Sequence, residues 1–447
     1  MRRLAALAAL LGVALSLAGE ATAQRPQTWN TRLVGHLELP RGFNGDVATH
    51  RSAAYIGSWG TEGRCPVLGV RAIDVRRPAR PRVASRFARF AGTTSEDVWV
   101  GRVATPSFTG DLAAVGIQRC GHGHERGFRG VAFYDVTSPA RPRLLSRLGT
   151  GYPTRGVHEI SVVQRADGRV LALLSVPHTW EATNGRRGDV QIVDVTNPQR
   201  PRRLATWDFR RSGPLPDRRR LRERRGDGEL LAHSVFPFDG GLKAYVSHWD
   251  AGAVFLDLAD PARPRYLGRT PYPARATGNA HSGWFSPDEQ IYVQNDEVGD
   301  FYHGGGVNRW GFQRIFDVSD LTRPVQIGTF ATRNSRPRSN GRVRRDGIYS
   351  AHNNVIVGRV EVVSWYSDGV RVVDLSDVRR PREVGYFVPP ARRDPQRFWR
   401  APNGGRTFPH VWGVAVADGL VFASDISSGL WIFWSRALPS GVGGNRG

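Results

Sequence analysis

Ile192-Val-Asp-Val-Thr-Asn-Pro-Gln-Arg-Pro-Arg202 is written six times in this chain with small changes. The other copies are Ala72 to Arg82 (AIDVRRPARPR), Phe133 to Arg143 (FYDVTSPARPR), Phe255 to Arg265 (FLDLADPARPR), Ile315 to Val325 (IFDVSDLTRPV) and Val372 to Arg382 (VVDLSDVRRPR). Each is an apolar run that ends in Asp, followed by a polar stretch closed by Pro. The Asp positions 74, 135, 194, 257, 317 and 374 step by 61, 59, 63, 60 and 57 residues. A sustained period of this length means one supersecondary unit copied around an axis or along a solenoid.

Within one unit the punctuation marks four short strands. In the fourth unit they run from His233 to Phe238, Ala244 to His248, Val254 to Leu258 and Arg265 to Arg269, separated by Asp-Gly-Gly, Trp-Asp-Ala-Gly and Asp-Pro-Ala-Arg-Pro. Gly, Asp and Pro end β-rich runs, and the Pro pair cannot donate to a ladder, so it falls between strands. The mature chain carries no helix-period stretch. Four strands per unit, repeated radially, make a propeller blade. Gly429 to Trp434 aligns with Gly369 to Asp374, but no fourth strand follows it. Thr31 to Leu37, near the N-terminus, reads as that missing strand. The expected fold is therefore all-β: a seven-bladed β-propeller of four-stranded blades, its ring closed by an N-terminal strand that completes the last blade. The expected divisions are a signal peptide at 1–23, the propeller at 24–437 and a Gly-rich tail at 438–447.

Met1-Arg-Arg3, the apolar run Leu4 to Leu17 and Ala21-Thr-Ala23 compose a secretory leader with cleavage expected after Ala23. Its apolar run is too short to span a bilayer. A secreted or periplasmic protein with no transmembrane segment is expected. The two cysteines, Cys65 and Cys120, lie between the second and third strands of neighbouring units. In an oxidising compartment they pair as a disulfide; otherwise they are two free thiols.

Net charge is +23, and Lys243 is the only lysine among 63 basic residues. Export argues against a nucleic-acid partner. Arginines crowd 210–225, 333–345 and 389–406, all between a fourth strand and the next first strand. Such stretches are either solvated insertions or a rim that gathers an anionic small molecule or polysaccharide. The chain is expected to be a monomer.

Five consecutive units place a histidine at the approach to the first strand: His158, His233, His281, His352 and His410. The first two units put Asp46 and Glu96 there. First strands line a propeller's channel, so equivalent positions form a ring around its axis. Neutral imidazoles with one or two carboxylates suit a transition metal such as Cu, Zn or Fe. The competing explanation is a repeated hydrogen bond that ties each blade to the next. Trp249, Asp250, Asp296 and Glu297, in the turns between second and third strands, open on the same face as a ligand rim, or serve only as turn formers. The chain has no nucleophile elbow, zinc-protease helix motif or phosphate loop, so whether it is an enzyme stays open.

The recurring block, seen in Ala72-Ile-Asp-Val, Ile192-Val-Asp-Val and Val372-Val-Asp-Leu, resembles the LVIVD repeat family. So do Ala244-Tyr-Val-Ser-His-Trp-Asp-Ala-Gly252 and Ser95-Glu-Asp-Val98 with Gly110-Asp-Leu-Ala-Ala-Val-Gly116. The resemblance covers nearly the whole mature chain. It implies a secreted or surface β-propeller and little chemistry. Three functions remain open on these residues: a metal-dependent exported enzyme, a binding module for an anion, and an extracellular scaffold whose histidines are structural.

Overall fold

The computed structural model describes residues 25–39, 43–60, 65, 68–120, 127–151, 154–177, 188–214, 230–272, 279–297, 311–336, 347–392 and 408–439. The expected leader, nearly all of the tail, and residues 215–225, 337–345 and 393–406 of the Arg-rich stretches lie outside them. Seven antiparallel sheets of four strands form a ring, a seven-bladed β-propeller. The innermost strands, in blade order, are Asn44–His50, Val98–Thr105, Ile160–Gln164, Ser234–Phe238, Asn279–Phe285, Asn354–Val357 and Val411–Ala417. The α-helix among the described residues is one turn, Phe209–Ser212, capped by the Asp208 carboxylate and anchored by buried Phe209.

The repeated Asp has a local job. It ends the third strand, and its Oδ1 accepts the backbone N–H two residues on. The distances are 3.1 Å at Asp74, 3.0 Å at Asp135, 2.9 Å at Asp194, 2.8 Å at Asp257, 3.0 Å at Asp317 and 2.9 Å at Asp374. Such a side-chain turn competes with the ladder and stops the strand. The Arg eight residues later lies directly opposite in the fourth strand and reaches the same carboxylate in five blades. Blade five has Val325 there instead, 58% exposed. The turn then packs on the preceding blade, where the fourth strand needs a small residue. Ser85 donates to the Pro139 carbonyl at 2.6 Å and Ser146 to that of Pro198 at 2.5 Å. Where glycine stands, a Cβ would collide: 2.0 Å from the Pro78 oxygen at Gly35 and 2.0 Å from the Leu321 oxygen at Gly268.

Closure follows the expected plan. Thr31–Leu37 pairs antiparallel with Gly429–Ser435, with Arg32 opposite Trp434 and Leu37 opposite Leu430. The structure adds an element absent from the sequence reading. Gln27–Trp29 forms a fifth, outermost strand on blade six, with Gln27 opposite Val388. In blade seven the third strand, Gly429–Ser435, is followed by a turn at 436–437 and takes its fourth strand from the N-terminal segment. That segment also packs on the fourth strand of blade six: the Trp29 oxygen lies 3.0 Å from a Cβ built on Gly385, and Asn30 and Thr31 donate to the Val384 and Tyr386 carbonyls.

The core lies between blades. One cluster joins Leu112, Val131 and Phe133 of blade two to Ile160, Val170 and Ala172 of blade three; another joins Val355 and Val362 of blade six to Val414 and Phe433 of blade seven. Each buried Val, Leu or Phe contributes about 1.5–3 kcal/mol, and each interface needs both neighbours. A ring missing one blade would therefore expose two apolar faces. Cys65 and Cys120 are joined in a disulfide with their Cα atoms 5.6 Å apart, linking the loops of blades one and two.

Candidate metal centre

The approach to each first strand reads Ala-His-Ser in blades four and five, and the serine does the blade-to-blade tying. Ser234 Oγ donates to the His281 carbonyl at 2.8 Å, and Ser282 Oγ donates to the His352 carbonyl. On the second strands, Ser175 Oγ donates to the His233 carbonyl at 2.6 Å and Ser364 Oγ to the Trp412 carbonyl. The repeated hydrogen bond expected of a structural histidine is thus supplied largely by neighbouring hydroxyls and backbone. The imidazoles add to it through Nδ1. Nδ1 of His281 lies 3.2 Å from the His352 oxygen, and Nδ1 of His352 lies 3.0 Å from the Trp412 oxygen. A carbonyl only accepts, so both Nδ1 atoms carry the proton and both Nε2 atoms keep a lone pair when the rings are neutral.

Four of the five predicted imidazoles run in one line. Ring centroids are 4.3 Å apart for His158 and His233, 3.9 Å for His233 and His281, and 4.0 Å for His281 and His352. Nε2 of His158 faces Nε2 of His233 at 2.9 Å. Carboxylates flank the line. Glu96 Oε2 is 3.1 Å from Nδ1 of His158, Glu159 Oε1 is 3.5 Å from Nδ1 of His233, and Glu297 Oε2 is 3.6 Å from Nε2 of His281. Among the described residues, two sets have all their ligand atoms within 4.8 Å of one another: His158, Glu159 and His233, and His233, His281 and Glu297.

The fifth histidine, His410, is fully buried edge-on to Phe408, its backbone N–H donates to Asp425, and burial holds its pKa well below the usual value. The Asp46 carboxylate takes both its oxygens to the Asn353 amide, at 2.7 and 2.8 Å. Burial, and then the charges of Asp46, Glu159, Asp97 and Glu297, push the Glu96 carboxyl well above the usual range. Several acids therefore converge in a chain whose net charge is strongly positive. Asp97 is spoken for, since it accepts the Ile160 N–H at 2.8 Å.

The predicted rim divides. Trp249 lies flat against His233, with centroids 5.3 Å apart and planes 20° apart. Glu297 belongs to the channel set. Asp250 accepts from Asn279 at 2.9 Å. Asp296 accepts from Tyr272 at 2.5 Å, Gln294 at 2.7 Å and the Arg314 guanidinium at 2.7 Å. Both are fully buried in these contacts.

Three contributors escape sequence reasoning. Glu159 follows His158 directly, and a His-Glu pair at the ring position was the available signal. Tyr366 donates its hydroxyl to Glu297 and stands edge-on to His352, and Trp412 stacks on His352 at 5.1 Å. Trp249 and Tyr366 occupy equivalent turns with φ of 44° and 42°. Bulky residues in the left-handed region are strained, and such strain gathers where a side chain must be aimed. Here both rings are aimed at imidazoles of the line.

No protein-family model matches this chain, and no curated protein matches it. Solved structures do. Raptor from Chaetomium thermophilum aligns with a TM-score of 0.54 at 12% identity over 92% of this chain, which spans 30% of the Raptor chain. The Cps50 (Swd1) β-propeller domain from Myceliophteria thermophila aligns with a TM-score of 0.50 at 11% identity, over 90% of this chain and 99% of that domain. At these identities the likeness speaks for architecture alone, and what it establishes is the β-propeller.

Proposed function

We propose that this is an exported propeller of the LVIVD type whose channel binds a divalent transition-metal ion through His158, His233 and Glu159. The observation that carries the reading is the 2.9 Å approach of the two Nε2 atoms, with Glu159 on the Nδ1 side of His233 at 3.5 Å and ligand atoms of all three residues within 4.8 Å of one another. Two ligands about 2.0–2.1 Å from one ion, at angles of roughly 90–110°, stand about 2.9–3.4 Å apart. In the protein without an ion, one proton must serve both nitrogens. If Glu96 is protonated, its proton lies toward Nδ1 of His158. If Glu96 is ionised, Nδ1 donates to Gln118 at 3.0 Å with the carboxylate alongside, and Nε2 turns a lone pair toward His233. A cation between the rings favours the second arrangement and offsets the crowded carboxylates. It also gives Glu96 and Gln118 the usual place of partners that orient a ligating imidazole.

Export rests on the leader, on the Cys65–Cys120 disulfide and on the lack, among the described residues, of a helix long and apolar enough to cross a membrane. The net charge of +23 supports an anionic small molecule or polysaccharide as what approaches the ion. Elemental analysis of the full chain purified after export to an oxidising compartment tests the reading. At least one equivalent of Zn, Cu or Fe is expected, and it is lost in His158→Ala/His233→Ala while the disulfide and β-sheet spectrum persist. A metal-free protein that takes up none of these ions on titration would overturn it.

A further inference from the structure

One blade beyond the first set, the channel repeats the same pairing of imidazole and carboxylate. We propose that His281 and Glu297 hold a second divalent transition-metal ion beside the first, with His233 shared between the two. The inference rests on the metal reading above and extends it from one ion to a two-ion centre.

The tautomer of His281 is fixed by its surroundings. Nδ1 points at the His352 carbonyl at 3.2 Å and carries the proton, so Nε2 presents a lone pair. That lone pair faces Oε2 of Glu297 at 3.6 Å. The separation is too long for a hydrogen bond, and a lone pair set against a carboxylate oxygen is unfavourable without a cation between them. Two ligand atoms about 2.0–2.2 Å from an ion and roughly 110–120° apart stand about 3.4–3.7 Å from each other. The spacing is that of ligands around a cation.

The carboxylate is held for the task. Its other oxygen accepts the Tyr366 hydroxyl, and Tyr366 is itself locked in a left-handed turn with φ 42° and bridged to Val411 of the next blade. Metal-binding carboxylates and imidazoles carry such partners on the side away from the ion. The pair is deeply buried, His281 at 1% and Glu297 at 7% exposure. A lone carboxylate there pays a large desolvation cost that an adjacent cation offsets.

His233 belongs to both sets of ligand atoms that lie within 4.8 Å of one another. Its Nε2 faces Nε2 of His158 at 2.9 Å and its Nδ1 lies 3.5 Å from Glu159 Oε1, so it can offer Nε2 to the first ion and Nδ1 to the second, with the Glu159 carboxylate on the side between them. Doing so requires the imidazolate form, in which the ring N–H bond breaks, its electron pair stays on nitrogen and becomes the second metal bond, and the proton goes to solvent. Metal uptake would therefore release protons.

The test is a titration of the full chain, stripped with chelator, with Zn²⁺ and separately with Co²⁺ against a competing chromophoric chelator. Two equivalents are expected for the unaltered protein and one for Glu297→Gln. For Tyr366→Phe we expect a second equivalent bound roughly 10- to 100-fold more weakly, since only the partner of the ligand is lost. One equivalent in the unaltered protein, or two in Glu297→Gln, would overturn the second ion while leaving the first intact. No uptake at all would overturn both. Should Glu297→Gln lose its β-sheet spectrum, Tyr366→Phe decides, and an unchanged affinity for the second equivalent then rejects the proposal.

Discussion

At the outer edge of the ring, Asp74 and Asp257 sit beside water and arginine. At the blade interfaces, Asp425 and Glu361 sit in the interior with neutral partners. The carboxyl of Asp74 is held below its usual range, first by hydrogen bonds from the Arg76 side chain, and that of Asp257 first by the Ala259 N–H and then by Arg265. Burial pushes Asp425 up despite hydrogen bonds from His410 and Ser428, and pushes Glu361 up to about 7 despite those from Asn354 and Gln313. The residue chemistry is the same and the environment reverses its effect. The repeat keeps its charges where solvent carries most of the electrostatic load. Inside, acids remain where a neighbour or a cation can compensate them. The outer ion pairs form a conspicuous pattern in sequence but contribute little energy individually. The close backbone contacts beside them are nearly silent in sequence and matter more.

The largest effect should come from one of those contacts. Gly35→Val places a Cβ 2.0 Å from the Pro78 oxygen, at the seam that closes the ring. A loss of about 3 kcal/mol is expected by chemical denaturation. A loss below about 1 kcal/mol would show that the seam yields and that the rim's rigidity is overstated.

Next comes the interior acid. Glu361 is wholly buried, and both amides that reach it, from Gln313 and Asn354, donate to a single oxygen at 2.6 Å. Burial raises its folded pKa to about 7, above the ordinary glutamate value of 4.5. Its protonated form therefore favours folding: stability is full below pH 4.5, declines as pH rises, and levels off above 7. The fall is on the order of 3 kcal/mol, at 1.36 kcal/mol per pKa unit. Glu361→Gln keeps an oxygen for both amides and should flatten that slope, leaving the variant more stable than the unaltered protein at pH 8. Parallel pH profiles would remove the buried half of the comparison.

The outer half predicts weaker effects of opposite sign. Asp257→Ala should cost less than about 1 kcal/mol, the worth of one turn hydrogen bond and a solvated ion pair. Because the folded pKa of Asp257 is depressed, its contribution is present above its unfolded pKa and lost as pH falls through the folded one. The variant and the unaltered protein should therefore converge in acid. The smallest effect is the repair of blade five. Val325→Arg restores the partner opposite Asp317 and should change stability by no more than about 0.5 kcal/mol, fading with salt. A gain of several kcal/mol there would mean that the rim pairs, not the blade interfaces, hold the ring.

The sequence by itself determined the period, the four strands per unit, the count of seven and the strand that closes the ring. Each of these is a local signal repeated at a fixed spacing: an Asp that ends a strand by binding its own backbone, a Pro that cannot join a ladder, and an apolar run between them. It also placed His158, His233, His281 and His352 at equivalent positions, because a closed repeat turns equivalence in sequence into adjacency around an axis. What it could not decide is which nitrogen of each ring is occupied and what stands opposite the other. Only the tertiary structure shows Ser234 and Ser282 taking the interblade bonds, Asp46 committed to Asn353, Asp296 to Arg314, and Glu159 and Glu297 brought beside imidazoles of other turns. Gln27–Trp29 was equally illegible, since three exposed residues carry no pattern until a neighbouring blade offers them an edge. Strand identity is set by short-range hydrogen bonding along the chain. The partners of a polar side chain are set by which blades meet across tens of residues, and no local pattern records them.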